Sequence, residues 1–195
     1  KEVFNGTPST PIGGYSLADS QTSNVDGIPT RRFRFLKDDV ELSRSEDKVG
    51  SQLAIVKEVF SGTPVTPTGY SIANEQESNV DGIPTNRFTF LKNGAELSRS
   101  EDEVGSQKAI VTQIFNPDNE PTPPSGYELA STQESDVDGA PTKSFTFLKT
   151  NIKLSESEDK VGSQLAIVQE WFKPDAEPSV TDYIIANVEE SNLGG

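Results

Sequence analysis

Aromatic and polar residues alternate along this chain with the period of a strand. In "TNRFTFLK" (85–92), Phe88 and Phe90 share one face while Arg87, Thr89 and Leu91 share the other. That is the pattern of a pleated segment with one covered face. Ahead of it, "GYSIANEQESNV" opens with Tyr70 and Ile72 two apart and then turns polar, as a half-buried or edge strand does. "DGIP" (81–84) between them joins Asp-Gly turn chemistry to a proline that donates nothing to a ladder. Further on, Asn93-Gly94 predicts a two-residue type I′ hairpin leading into a short "AELS" strand. Copies elsewhere place Asp38-Asp39 and Thr150-Asn151 there, poorer formers of such a turn, so packing must help impose it. "QKAIVTQIF" (107–115) is β-branched and apolar on both faces, the pattern of a strand covered on two sides. "RSEDEVGS" and its counterpart "SRSEDKVGSQ" (43–52) read as charged loops. Gly50 arrives too soon for a helix begun near Ser45 to propagate.

These elements recur. Tyr15, Tyr70, Tyr127 and Tyr183 each lead, at one fixed distance, to Asp26-Gly27, Asp81-Gly82, Asp138-Gly139 and Gly194-Gly195. The Tyr15–Phe60, Tyr70–Phe115 and Tyr127–Phe172 separations are identical, and all length variation falls in the Pro/Thr-rich segments between. Constant units on variable joints mark a tandem array. The organisation predicted is the end of a preceding repeat with its linker at 1–14, then repeats at 15–60, 70–115 and 127–172. Linkers occupy 61–69, 116–126 and 173–182, and a fourth repeat starts at 183–195. The chain thus reads as an excerpt of a longer array or a trimmed product. Each repeat is expected to be a four-stranded antiparallel β-meander, giving an all-β tandem array. Proline density in the joints favours polyproline II and a semi-rigid spacer.

The inward set expected for the first repeat is Tyr15, Leu17, Val25, Phe33, Phe35, Val40, Leu42, Val49, Leu53, Ile55, Val56, Val59 and Phe60. So small a core is marginal: below about 70 residues a lone core supplies only ~3–5 kcal/mol without staples. The 195 residues contain no Cys, so no disulfide serves. Neighbouring repeats or other copies must cover what remains, which predicts a protein that self-associates.

Charge narrows the partners. The formal net charge of −14 disfavours nucleic acid, whose backbone recruits clustered Lys and Arg, and disfavours anionic membrane surfaces. No apolar run approaches the ~20 residues that span a bilayer, so membrane insertion is not expected. With no His, the usual zinc and general-base chemistry is absent. The remaining candidates are acidic: Asp26, Asp81 and Asp138 at the turns, with Glu46, Asp47, Glu101, Asp102, Glu158 and Asp159 in the "SxSED" stretches. They are read as possible assembly or ligand loops. Such oxygens suit calcium, but their spacing matches neither an EF-hand nor a glycine-rich nonapeptide, so solvated faces are the expectation and no cofactor is assigned. Paired carboxylates for glycoside hydrolysis need one acid buried. These sit in polar, Ser-rich stretches, and no catalytic residue is expected. The Phe pairs are read as core rather than as a stacking platform.

The recurring "GYSIANEQESNVDGIPTNRFTFLK" and "LSRSEDEVGSQKAIV" resemble, in texture, the tandem β-rich repeats of bacteriophage virion proteins (fibres, spikes and decorations) and of long bacterial adhesins. The resemblance implies a virion-borne or extracellular scaffold that assembles as a homo-oligomer, often a trimer. The expected function is a non-enzymatic structural protein of such an assembly. The alternative is a multivalent adhesin whose acidic loops contact a cell-surface receptor or glycan.

Overall fold

The computed structural model describes residues 1–191, which form thirteen strands and no helix. In chain order they are β1 (Glu2–Val3), β2 (Tyr15–Val25), β3 (Ile28–Lys37), β4 (Glu41–Val49), β5 (Gln52–Val59), β6 (Tyr70–Val80) and β7 (Ile83–Lys92). There follow β8 (Ala95–Val104), β9 (Gln107–Phe115), β10 (Tyr127–Val137), β11 (Ala140–Lys149), β12 (Ile152–Val161) and β13 (Gln164–Phe172). The expected all-β array of small antiparallel sheets is what the chain forms. Two compact units are present: Lys1–Ala95 with the turn Asp138–Ala140, and Glu96–Val137 with the described residues from Pro141 onward.

Two turn types build the hairpins. At Asp26-Gly27, Asp81-Gly82 and Asp138-Gly139 both residues have positive φ, near 51° for Asp and 80–83° for Gly, as a type I′ turn requires. The side chains of Asn24 and Asn79 accept the N–H of Gly27 and Gly82 at 2.7 and 2.8 Å, which closes the first two of these turns. The hairpins β4–β5, β8–β9 and β12–β13 turn instead at Gly50, Gly105 and Gly162. Each has φ of 55–63°, with a serine following that stays at negative φ.

The Asn93-Gly94 hairpin does not form. β7 and β8 lie in different sheets, as do β3 and β4, and β11 and β12. Only the second residue is left-handed: Asp39 (57°), Gly94 (72°) and Asn151 (56°). A single left-handed residue throws the chain from one sheet to the next, and Asp and Asn are the side chains that tolerate it best after Gly. This accounts for the freedom of sequence at that site. The Asp39 N–H donates to the Ser61 carbonyl and that of Asn151 to the Lys173 carbonyl, fixing the corner against the segment just past a core strand.

The strand order departs from a meander. The sheets run β4-β5-β7-β6 and β10-β11-β9-β8, with smaller sheets β1-β3-β2 and β12-β13. Each four-stranded sheet therefore takes one hairpin from one repeat and one from the next, so sheet and sequence repeat are out of phase. The two apolar strands meet in the middle and the polar ones take the edges. Burying both faces of β5 and β7 outweighs the local signal of a two-residue turn.

The pairing register repeats. In one sheet Ile55 faces Phe90, Val56 faces Thr89, Lys57 faces Phe88, Glu58 faces Arg87 and Val59 faces Asn86. In the other, Ile110 faces Phe147, Val111 faces Thr146, Thr112 faces Phe145, Gln113 faces Ser144 and Ile114 faces Lys143. Cores form on these pairs: Val59, Phe88 and Phe90 backed by Ile55 and Tyr70, and Ile114, Phe145 and Phe147 backed by Ile110, Tyr127 and Leu129. Leu91 and Leu148, placed on the polar face by simple alternation, are also buried, because these strands are covered on both sides.

Of the inward set expected for the first repeat, Phe33, Val49, Val56 and Val59 are buried, while Tyr15, Leu17, Val25, Val40 and Leu53 are exposed. The exposed ones lie on edge strands, at turn flanks or on a face with no neighbour. The charged stretches are not loops. "ELSRSEDKV" is strand β4, and β8 and β12 follow suit. As edge strands open to solvent they carry no apolar period, and their charges guard the edge against further pairing. Residues 183–191 are not in a strand, and Gly194-Gly195 lies outside the described residues.

Candidate functional site

The candidate acids occupy two kinds of position, Asp-Gly turns and edge strands. Asp26, Asp81 and Asp138 hold the first left-handed position of the Asp-Gly turns, a conformational duty that Asp meets at small cost. Within the first unit, Asp138 also accepts the Gly50 N–H at 2.8 Å. Glu46 and Asp47 lie on β4 opposite Ile55 and Ala54, and Glu158 and Asp159 lie on β12 opposite Ile167 and Ala166. Glu101 and Asp102 occupy β8.

The partners of these acids are local. Asp47 pairs with Arg87 at 2.8 Å and accepts the Lys48 N–H. Glu101 pairs with Lys108 at 3.0 Å, holding that ammonium above its ordinary pKa chiefly through the hydrogen bond and charge of the carboxylate. Asp102 and Asp159 each accept the N–H of the next residue. Among the described residues, no three acidic side chains converge to hold a metal ion. No helix of the described residues is long and apolar enough to cross a membrane.

Sequence reading missed a polar ladder that the pairing creates. On β5, Glu58 accepts hydrogen bonds from Ser43 of β4 at 3.3 Å and from Ser78 of β6 at 2.9 Å. In the sheet built on β9, Gln113 takes the same place between Ser98 and Ser135. On β13, Glu170 accepts Ser155 of β12 at 2.6 Å and Ser191 at 3.1 Å. On β1, Glu2 accepts Ser23 at 2.8 Å. The signal was present in the repeated Ser and Glu/Gln positions. It was silent until the pairing between repeats placed them side by side.

Lys57 is the other residue that the pairing explains. It is buried on β5, reaches the Val65 carbonyl at 2.9 Å and Glu41 at 3.4 Å, and lies 5.7 Å from the Phe90 ring centre. Its counterparts are Lys1, Thr112 and Gln169; Lys1 repeats the placement, its ammonium 5.6 Å from the Phe35 ring centre, while the other two carry no charge. In the second unit, a shallow depression of about 250 Å³ is lined by Pro117, Glu120, Thr132, Lys143 and Phe145 among others, and it gathers no set of reactive groups.

What the arrangement does best is pair backbone edges in one register. No family model, no curated protein and no solved structure matches the chain.

Proposed function

We propose that this protein is a non-enzymatic structural β-repeat protein, one component of a virion or extracellular surface assembly such as a fibre, stalk or decoration. One observation carries the reading: successive repeats are joined by main-chain pairing in a register used twice, Ile55 with Phe90 and Ile110 with Phe147. An array whose repeats share sheets transmits force through hydrogen-bonded backbone as well as through its joints. The acidic edge strands β4 and β8 are the outer members of those sheets. Their charges limit sideways pairing, the defence that edge strands need in a crowded assembly.

Self-association is part of this proposal, since each repeat offers only a small core and the chain has no Cys to staple it. Sedimentation velocity and mass photometry test it. Oligomers that grow with concentration are expected, whereas a monomer whose sheets melt independently counts against it. Binding on a glycan array that disappears on Glu46→Ala/Asp47→Ala would point instead to a multivalent receptor-binding protein.

A further inference from the structure

Resting on that structural reading, we propose that charge selects which hairpin docks on which core strand along the array. A core strand with glutamate in its polar row takes a hairpin that sets arginine opposite it. A core strand with glutamine there takes a hairpin that is neutral at the facing position. The partner in each case is the Asp-Gly hairpin of the next repeat.

Three pairings inside the chain carry this rule. Glu58 of β5 faces Arg87 of β7, and Glu2 of β1 faces Arg32 of β3. Gln113 of β9 faces Ser144 of β11. The positions are equivalent, since Glu2, Glu58 and Gln113 are the second residues of "KEVF", "KEVF" and "TQIF". Arg32, Arg87 and Ser144 each stand just before the first ring of a Phe-x-Phe pair. Charge is present on both strands of a junction or on neither. With 17 Lys and Arg against 31 acids, cations are scarce in this chain, and two of them are spent opposite these glutamates.

The serine ladder does not make the choice. Glu58 lies between Ser43 and Ser78 and accepts from both, as a carboxylate must. Gln113 lies between Ser98 and Ser135, accepting from the first and donating its amide N–H to the second. Serine hydroxyls serve either residue, so the ladder closes equally well on both. Selection falls to the facing strand, where opposite charges set directly across an antiparallel pair attract. Arg87 is also held by Asp47 at 2.8 Å, so two acids of one repeat draw on a single guanidinium of the next. A neutral hairpin in that place would leave both acids without their cation, in a half-covered row where an uncompensated charge is costly.

Two double-mutant cycles in the full chain test the rule. Gln113→Glu is expected to lower the urea midpoint, because its carboxylate meets only Ser144 across the ladder. Adding Ser144→Arg is expected to recover the loss, with a coupling of about fivefold in the unfolding equilibrium constant. At the charged junction Arg87→Ser lowers the midpoint, and Glu58→Gln in the same chain recovers part of it. Both couplings shrink in high salt, which separates charge from packing. A measurement on the wild-type chain is independent of variant folding: added salt is expected to speed amide exchange in β5 and β7 relative to β9 and β11. Additive effects in either cycle, or an equal salt response at the two junctions, overturn the rule and leave the structural reading in place. Failure of that reading shows separately, as a chain that does not self-associate.

Discussion

Val56 and Val168 hold the same place in the repeat, in "LAIV" runs that are letter for letter the same, yet one is sealed and the other half open. The difference lies in their neighbours. β5 is flanked by β4 and β7, whereas among the described residues β13 pairs with β12 alone. Val49 is likewise buried beside β5, while its counterpart Val161 is exposed. Burial in this protein is therefore conferred by the next hairpin and not by the strand itself. Each repeat supplies half of a sheet and receives the other half.

The largest test of that comparison is a core truncation on each side. Phe90→Ala in the four-stranded sheet removes a fully buried ring and is expected to cost about 3–5 kcal/mol. Trp171→Ala on β13 removes a partly buried side chain and is expected to cost less, about 1–2 kcal/mol. Urea denaturation at low protein concentration compares them, and equal costs would break the distinction.

Glycine turns give the next effect. Gly105 and Gly162 have the same left-handed φ, 59° and 63°, so alanine costs each about 1 kcal/mol of backbone strain. At Gly105 an added Cβ would also lie 2.4 Å from the Leu154 carbonyl oxygen, while nothing lies within 4 Å at Gly162. Gly105→Ala is expected to destabilise by about 1–3 kcal/mol more than Gly162→Ala, read as separate shifts in thermal midpoint.

A gain is expected from a flaw shared by the repeats. Thr85 and Thr142 are buried with hydroxyls that lack a hydrogen-bond partner, and so is the Thr30 hydroxyl. Thr85→Val removes the unpaired oxygen and should stabilise by about 1 kcal/mol. Thr30→Val, in the smaller sheet where the residue is less buried, should gain less. A loss at Thr85 would mean that the hydroxyl is satisfied in solution.

Surface charge comes last. Asp47→Asn breaks the pair with Arg87 and should cost at most about 1 kcal/mol, fading with salt. Asp159→Asn, whose carboxylate caps only the Lys160 N–H, should cost less. Glu156 is held below the usual carboxylate range by hydrogen bonds from Lys153 and Gln169. Its contribution is complete above that range and is lost as pH falls through the lowered value. Lys108 behaves oppositely: its contribution is complete below the ordinary lysine range and is lost as pH rises through the raised value. Both side chains are solvated, so these are small slopes at the two ends of a pH–stability curve, and Glu156→Gln should flatten only the acid one.

The sequence displayed its strands and its Asp-Gly turns openly, because "RFTFLK" alternates and Asp-Gly fits a left-handed pair. Pairing partners were hidden. β7 carries a good local turn toward β8 and an equally good apolar edge toward β5, and only burial of both faces decides between them. The acidic strands were hidden for the opposite reason: an edge wet on both sides leaves no alternation to read. Of the candidate acids, the turn aspartates were legible as turn formers. The partnership of Asp47 with Arg87 joins two repeats, so no single repeat contains it.

The phase offset between repeat and sheet bears on how such a gene changes length. The two junctions share one strand register, so adding or deleting one whole period keeps that register at each junction. An array built this way can lengthen or shorten by whole periods without changing how one strand meets the next.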